Sequence, residues 1–140
     1  LTNRTLKPYS DTSYHNEELN SLTRYRFDKV QECAKLKTSV SRLVSILFPE
    51  LEPFVPTLHM TSVYALLSEF PGASFVAAAH LTRLKHLLHD ASNGRYVIDM
   101  AISIREAASS SIGSVLPAKS LELKHTIRLI EVLSAEIDEI

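Results

Sequence analysis

Residues 14–48 read YHNEELNSLTRYRFDKVQECAKLKTSVSRLVSILF, and they hold neither glycine nor proline. At 100° per residue, Leu19, Leu22, Val30, Cys33, Leu36, Val40, Leu43, Val44, Leu47 and Phe48 share one broad face. That periodicity predicts a single amphipathic helix, because apolar side chains recurring at three and four residues stack on one side. Asp11, Thr12, Ser13 and Asn16 can cap its start, and Pro49 stops it. A helix over 14–48 is ~50 Å long at 1.5 Å per residue. A compact chain of 140 residues does not need such a rod, so an extended, coiled-coil-like element is expected.

The rest of the chain is punctuated in the same way. Residues 1–13 are expected as a linker and 49–58 (PELEPFVPTL) as a proline-rich loop. Residues 59–113 are expected as a bundle of short helices. Leu81, Leu84, Leu88 and Ala91 make one helical face, and Val97, Ala101, Ile104 and Ala108 make the next. Asn93-Gly94 supplies a left-handed stop between them, so 81–92 and 96–111 read as a helical hairpin. Pro117 suits the first turn of a last helix within 114–140. There Leu123, Ile127, Ile130 and Ile137 form a heptad-like line. The expected fold is all-α: two long antiparallel helices, coiled-coil-like, bracketing short ones, together one domain of a longer protein.

Composition supports helices and narrows the chemistry. Three glycines leave few positions for tight turns. The lone cysteine, Cys33, excludes an internal disulfide framework. No apolar run suffices for a membrane span or a secretory leader. Net charge is −1, so no global basic field recruits nucleic acid, but the distribution is uneven. Residues 1–48 carry 8 basic and 5 acidic side chains, whereas 114–140 carry 3 and 5. Arg26, Lys29 and Lys37 lie on the apolar side of the first helix, with Glu122 or Glu136 as natural partners across an antiparallel pair.

Candidate chemistry is sparse. His86 and His89 are three apart, with His80 close by, but no thiolate accompanies them and no metal site is expected. Ser109-Ser110-Ser111 lacks a nucleophile-elbow pattern, and Gly72, Gly94 and Gly113 are too isolated to cradle phosphates. No catalytic residue is assigned. Arg24, Lys35 and Arg42 differ by 11 and 7 residues, so they line up opposite the apolar face. Such a row either solvates the helix or contacts phosphates, which reward cations without reading base sequence.

Five ordered patches then carry a resemblance. They are Leu22-Thr23-Arg24-Tyr25-Arg26 with Ala34-Lys35-Leu36-Lys37 and Leu43, then Leu66-Leu67-Ser68-Glu69-Phe70-Pro71, then Leu87 through Arg95 (LLHDASNGR). Ala107 through Gly113 (AASSSIG) and Glu122-Leu123-Lys124 through Ile137 complete them. Together they resemble the middle of the DEDD-type insertion-sequence transposases related to Piv invertases, described as bridge-RNA-guided recombinases. The resemblance implies a DNA transposase that moves an insertion element by DNA recombination in the bacterial cytoplasm. Its RuvC-like acidic residues would precede this segment and would carry Mg2+; its catalytic serine would follow. Neither motif occurs here, so the chain itself is expected to need no cofactor. It would be the coiled-coil connector that forms a dimer and helps assemble the protein on DNA and guide RNA, with no membrane partner. Leu36, Val40, Leu43, Leu47, Leu123, Ile127, Ile130 and Ile137 are the expected packing residues. A freestanding helical adaptor or signalling module satisfies the bare periodicity equally.

Overall fold

The computed structural model describes residues 2–92 and 98–140, with side chains for 13–88 and 99–140. Among these, every regular element is helical. α1 spans Thr2–Leu47 and is followed by a 3-10 helix, Pro49–Phe54. Four short helices follow: α2 (Thr61–Glu69), α3 (Ala73–Ala78), α4 (Leu81–Ser92) and α5 (Ile98–Ser109). α6 spans Pro117–Glu139 and closes the order.

α1 ends where Pro49 predicts, but it begins within residues 1–13, the stretch expected as a linker. Asp11, Thr12, Ser13 and Asn16 therefore lie inside a helix rather than capping its start. Such residues are strongly favoured at caps, but in a helix interior each costs only up to about 0.7 kcal/mol, which a long helix tolerates. The proline-rich loop is also more ordered than expected. Pro49 occupies the first turn of the 3-10 helix, where its missing N–H costs little, and Leu51 is wholly buried. The stretch between Gly72 and Asn93 splits in two, because the chain is extended at Ala79 (φ −73°, ψ 149°). The His80 carbonyl then accepts from Arg83 and Leu84 to open α4. No glycine or proline marks that break. The expected Asn93-Gly94 stop lies outside the described residues.

The largest interface joins α1 to α6. Its direction is fixed by two ion pairs: Lys29 meets Glu136 at 3.0 Å and Arg42 meets Glu122 at 3.9 Å. Rising numbers on α1 meet falling numbers on α6, so the two helices are antiparallel. Val40, Leu43 and Leu47 face Leu123, Ile127 and Ile130 in one continuous core. α2 bridges α6 and α4, while α3 and α4 pack on α5. Each fully buried leucine or isoleucine here contributes about 1.5–3 kcal/mol by leaving water.

The broad apolar face read along α1 is only partly used. It is buried or half-buried from Cys33 onward, whereas Leu19 and Leu22 are 63% and 50% exposed. The reason is length. At 1.5 Å per residue, 46 residues make a rod of ~69 Å, while the 23 of α6 make ~35 Å. One end of α1 is braced and the other projects.

Candidate functional site

The basic row lies on α1, turned away from the core. Arg24 and Lys35 are exposed, and Arg42 keeps a 63% exposed side chain. Helical geometry places 24, 35 and 42 within ~20° of one another and spreads them over ~27 Å. Arg42 is loosely tied, because Glu122 lies 3.9 Å from it and also receives Lys119 at 3.3 Å. An exposed ion pair of this kind is worth about 0–1 kcal/mol, so a phosphate can displace it.

The cations on the apolar side separate into two fates. The Lys29 Nζ donates to Glu136 at 3.0 Å and lies 4.8 Å from the centre of the Tyr25 ring. The hydrogen bond to Glu136, then that to Tyr25, holds its pKa above the ordinary lysine value. Arg26 instead lines an open groove with Leu19, Leu22, Phe27, Val30 and Ile140. Of the two acids expected across the pair, Glu136 takes Lys29, while Glu122 takes Arg42 rather than an apolar-side cation.

The eight expected packing residues are brought together within one chain. Val40, Leu43, Leu47, Leu123, Ile127 and Ile130 are buried, and Leu36 and Ile137 pack half-buried beside them. Their surface is already spent between α1 and α6. The apolar side chains that α6 leaves exposed are elsewhere: Leu121, Leu129 and Val132 are each more than half exposed.

The structure also forms a hydroxyl–imidazole–phenol chain that periodicity does not reveal. Ser41 Oγ lies 3.3 Å from His59 Nε2, and His59 Nδ1 lies 2.6 Å from the Tyr64 hydroxyl. Burial first, then Cys33 and Glu131, pushes the Tyr64 pKa up to about 12, so the phenol stays protonated. Burial first, then Lys37, lowers the His59 pKa below 6.5, with Glu52 opposing. The arrangement looks like a nucleophile with its base, but Ser41 lies inside α1, whose N–H groups are committed to the helical ladder. Its own turn therefore offers no donors for a developing oxyanion. The chain instead fastens the loop before α2 onto α1. The only sequence trace of it is a histidine just before a helix that carries a tyrosine.

The lowered His59 pKa predicts a pH dependence of stability. A histidine whose folded pKa is depressed binds protons better when unfolded. Its contribution is complete above the unfolded value near 6.5 and declines as pH falls below it. Melting temperatures between pH 8 and 5.5 should fall more steeply for the natural chain than for His59→Gln. Parallel curves would show that His59 carries no such linkage.

A second clasp joins the turn after α5 to the 3-10 helix and to the end of α1. Ser111 donates to the Glu50 carboxylate, which also accepts from the Ile112 N–H at 3.2 Å. The Ser114 N–H donates to the Ile46 carbonyl at 2.8 Å. Burial works to raise the Glu50 pKa, but the hydrogen bonds from Ser111 and Ile112 outweigh it and leave the pKa lowered. Ser109 and Ser110 donate back to Arg105 and Glu106 within their own helix. The serine run is thus a helix end and a clasp.

Among the described residues, no group of three His, Cys, Asp or Glu could hold a metal ion, and no helix is long and apolar enough to cross a membrane. The His89 side chain lies outside those residues. No family model, curated protein or solved structure matches this chain.

Proposed function

We propose that the chain is a non-catalytic helical connector of a DEDD-type insertion-element transposase, pairing two copies and helping to hold the protein on DNA and RNA. One observation carries this reading: a ~69 Å helix braced at one end displays Arg24, Lys35 and Arg42 on the face opposite its core. A rigid rod with a cationic edge sets the distance between functional parts and lies along a phosphate backbone without selecting base sequence. The ordered patches from Leu22 to Ile137 add the family, the bacterial cytoplasm and the place of this piece between catalytic parts. Leu121, Leu129 and Val132 on α6 form the contact between copies.

The test uses labelled duplex DNA and labelled RNA of unrelated sequences, titrated at two salt concentrations and followed by fluorescence anisotropy. Weak binding to both is expected, with log K falling at a slope of roughly −2 to −3 against log salt for three neutralised phosphates. Replacing Arg24, Lys35 and Arg42 together with glutamine should abolish it. No binding at low salt, or equal binding by the triple variant, would remove the nucleic-acid role. Sedimentation should show a dimer that Leu129→Asp with Val132→Asp converts to a monomer. A monomeric natural chain at high micromolar concentration would leave the adaptor reading in possession.

A further inference from the structure

The apolar line of α1 does not stop where α6 stops. Positions 19, 22, 26, 29, 33, 36, 40, 43 and 47 alternate steps of three and four, the spacing that keeps a seam on one side of a helix. From Cys33 to Leu47 this seam is covered. At Lys29 it is completed by an acid, since Glu136 of α6 reaches the ammonium at 3.0 Å and leaves it 14% exposed. One step further, at Arg26, the seam has a cation with no ion pair among the described residues. Beyond it stand Leu22 and Leu19, and Ile140 fills only the near end of the groove they share.

We propose that this projecting seam is a docking site for a second amphipathic helix, antiparallel to α1, that carries an acidic side chain for Arg26 and apolar side chains for Leu22 and Leu19. The site continues an interface that already exists, and the Lys29–Glu136 pair shows how that interface satisfies a seam cation. Charge selects the occupant against a second copy of this arm. Two arms paired antiparallel around Leu19 and Leu22 would set Arg26 against the position of His15, and two arms paired parallel would set Arg26 against itself. Neither arrangement sets an acid directly opposite Arg26. An acidic helix does, and an apolar contact alone would not explain why an arginine sits within the seam. The proposal does not depend on the transposase reading.

The probe is a fluorescein-labelled synthetic peptide of three heptads, ~21 residues, with leucine at the seam positions and glutamate beside them. Its counterpart has lysine in place of each glutamate. The acidic peptide is expected to bind at least tenfold more tightly than the basic one. Arg26→Glu should reverse that preference, and Leu22→Asp should abolish binding of both. Both side chains lie on the open groove, so circular dichroism and the melting temperature should stay unchanged and separate lost docking from lost folding. A nitroxide on the N-terminal residue of the peptide should broaden amide signals near Val30 and not near Tyr14. Equal affinity for the two peptides, no binding of the acidic one, a preference unchanged in Arg26→Glu or the opposite broadening pattern would overturn the proposal. So would a dimer of the natural chain that Leu22→Asp dissociates, because the seam would then belong to a second copy.

Discussion

Phe48→Ala is expected to destabilise the fold by about 3–5 kcal/mol, the cost usual for deleting a buried phenylalanine ring. Phe48 is 0% exposed and is the largest of the fully buried side chains. It stands where α1 hands over to the 3-10 helix, with its N–H donating to the Val44 carbonyl at 2.7 Å. Phe48 belongs to the core cluster that the long helix, Leu51 and the short bundle share. Relaxation into the vacated space is limited because three elements converge there, so the cavity penalty adds to the lost transfer energy. Urea unfolding should show a lower midpoint with an unchanged slope, since the surface exposed on unfolding changes little. A loss below about 1 kcal/mol would mean that this junction is looser than the packing indicates.

Gly113→Ala should produce the second large effect, by a different route. A Cβ added at Gly113 would overlap the Leu47 carbonyl oxygen and lie 2.8 Å from its carbon and 3.1 Å from Pro49 Cδ. Two of these atoms are backbone at the end of a helix and cannot swing aside as a flexible side chain would. The loop must lift, which breaks the bond from the Ser114 N–H to Ile46 and disturbs the clasp of Glu50 with Ser111 and Ile112. A cost of about 2–3 kcal/mol is expected from the overpacking alone. Thermal unfolding monitored by circular dichroism measures it. Ser111→Ala serves as the comparison, since it removes the clasp hydroxyl and creates no clash. If Gly113→Ala were no worse than Ser111→Ala, close approach of the two backbones would not be the reason for glycine there.

These two positions show how unevenly the fold can be read from the chain. Phe48 belongs to the 3.6-residue pattern and precedes Pro49, so its burial follows from periodicity and punctuation. Gly113 is visible as a break, but its close approach to Leu47 joins residues 66 apart and no local pattern encodes it. The all-α class, the end of α1 and the start of α6 at Pro117 were legible from local spacing, and complementary charge named Glu136 among the partners of the apolar-side cations without saying which cation it takes. The break at Ala79-His80 was not, since no glycine or proline marks it and only the tertiary packing, in which α4 meets α2 as well as the α5 it shares with α3, accompanies it. The exposure of Leu19 and Leu22 was hidden for a related reason. A helical wheel shows which side chains share a face, but not whether a neighbour is long enough to cover it. For the candidate site, the positions of Arg24, Lys35 and Arg42 followed from angle alone, whereas the sharing of Glu122 between Arg42 and Lys119 needed the tertiary register.

The uneven lengths of α1 and α6 also make the projecting arm a component whose aim is set by counting. Between the braced seam and the arm no loop intervenes, so the azimuth of every arm residue is inherited from Cys33–Leu47 through the helical repeat. Adding one residue between Val30 and Cys33 would advance the tip by only ~1.5 Å but turn it by about 100°. Arg24 would then point away from Lys35 and Arg42, and Leu22 away from the line of Leu36 and Val40. Adding seven residues would lengthen the arm by ~10 Å and restore nearly the same bearing. Variation in the length of this arm is therefore tolerated in steps of a heptad, and a single-residue change acts as a rotation of the whole surface it carries.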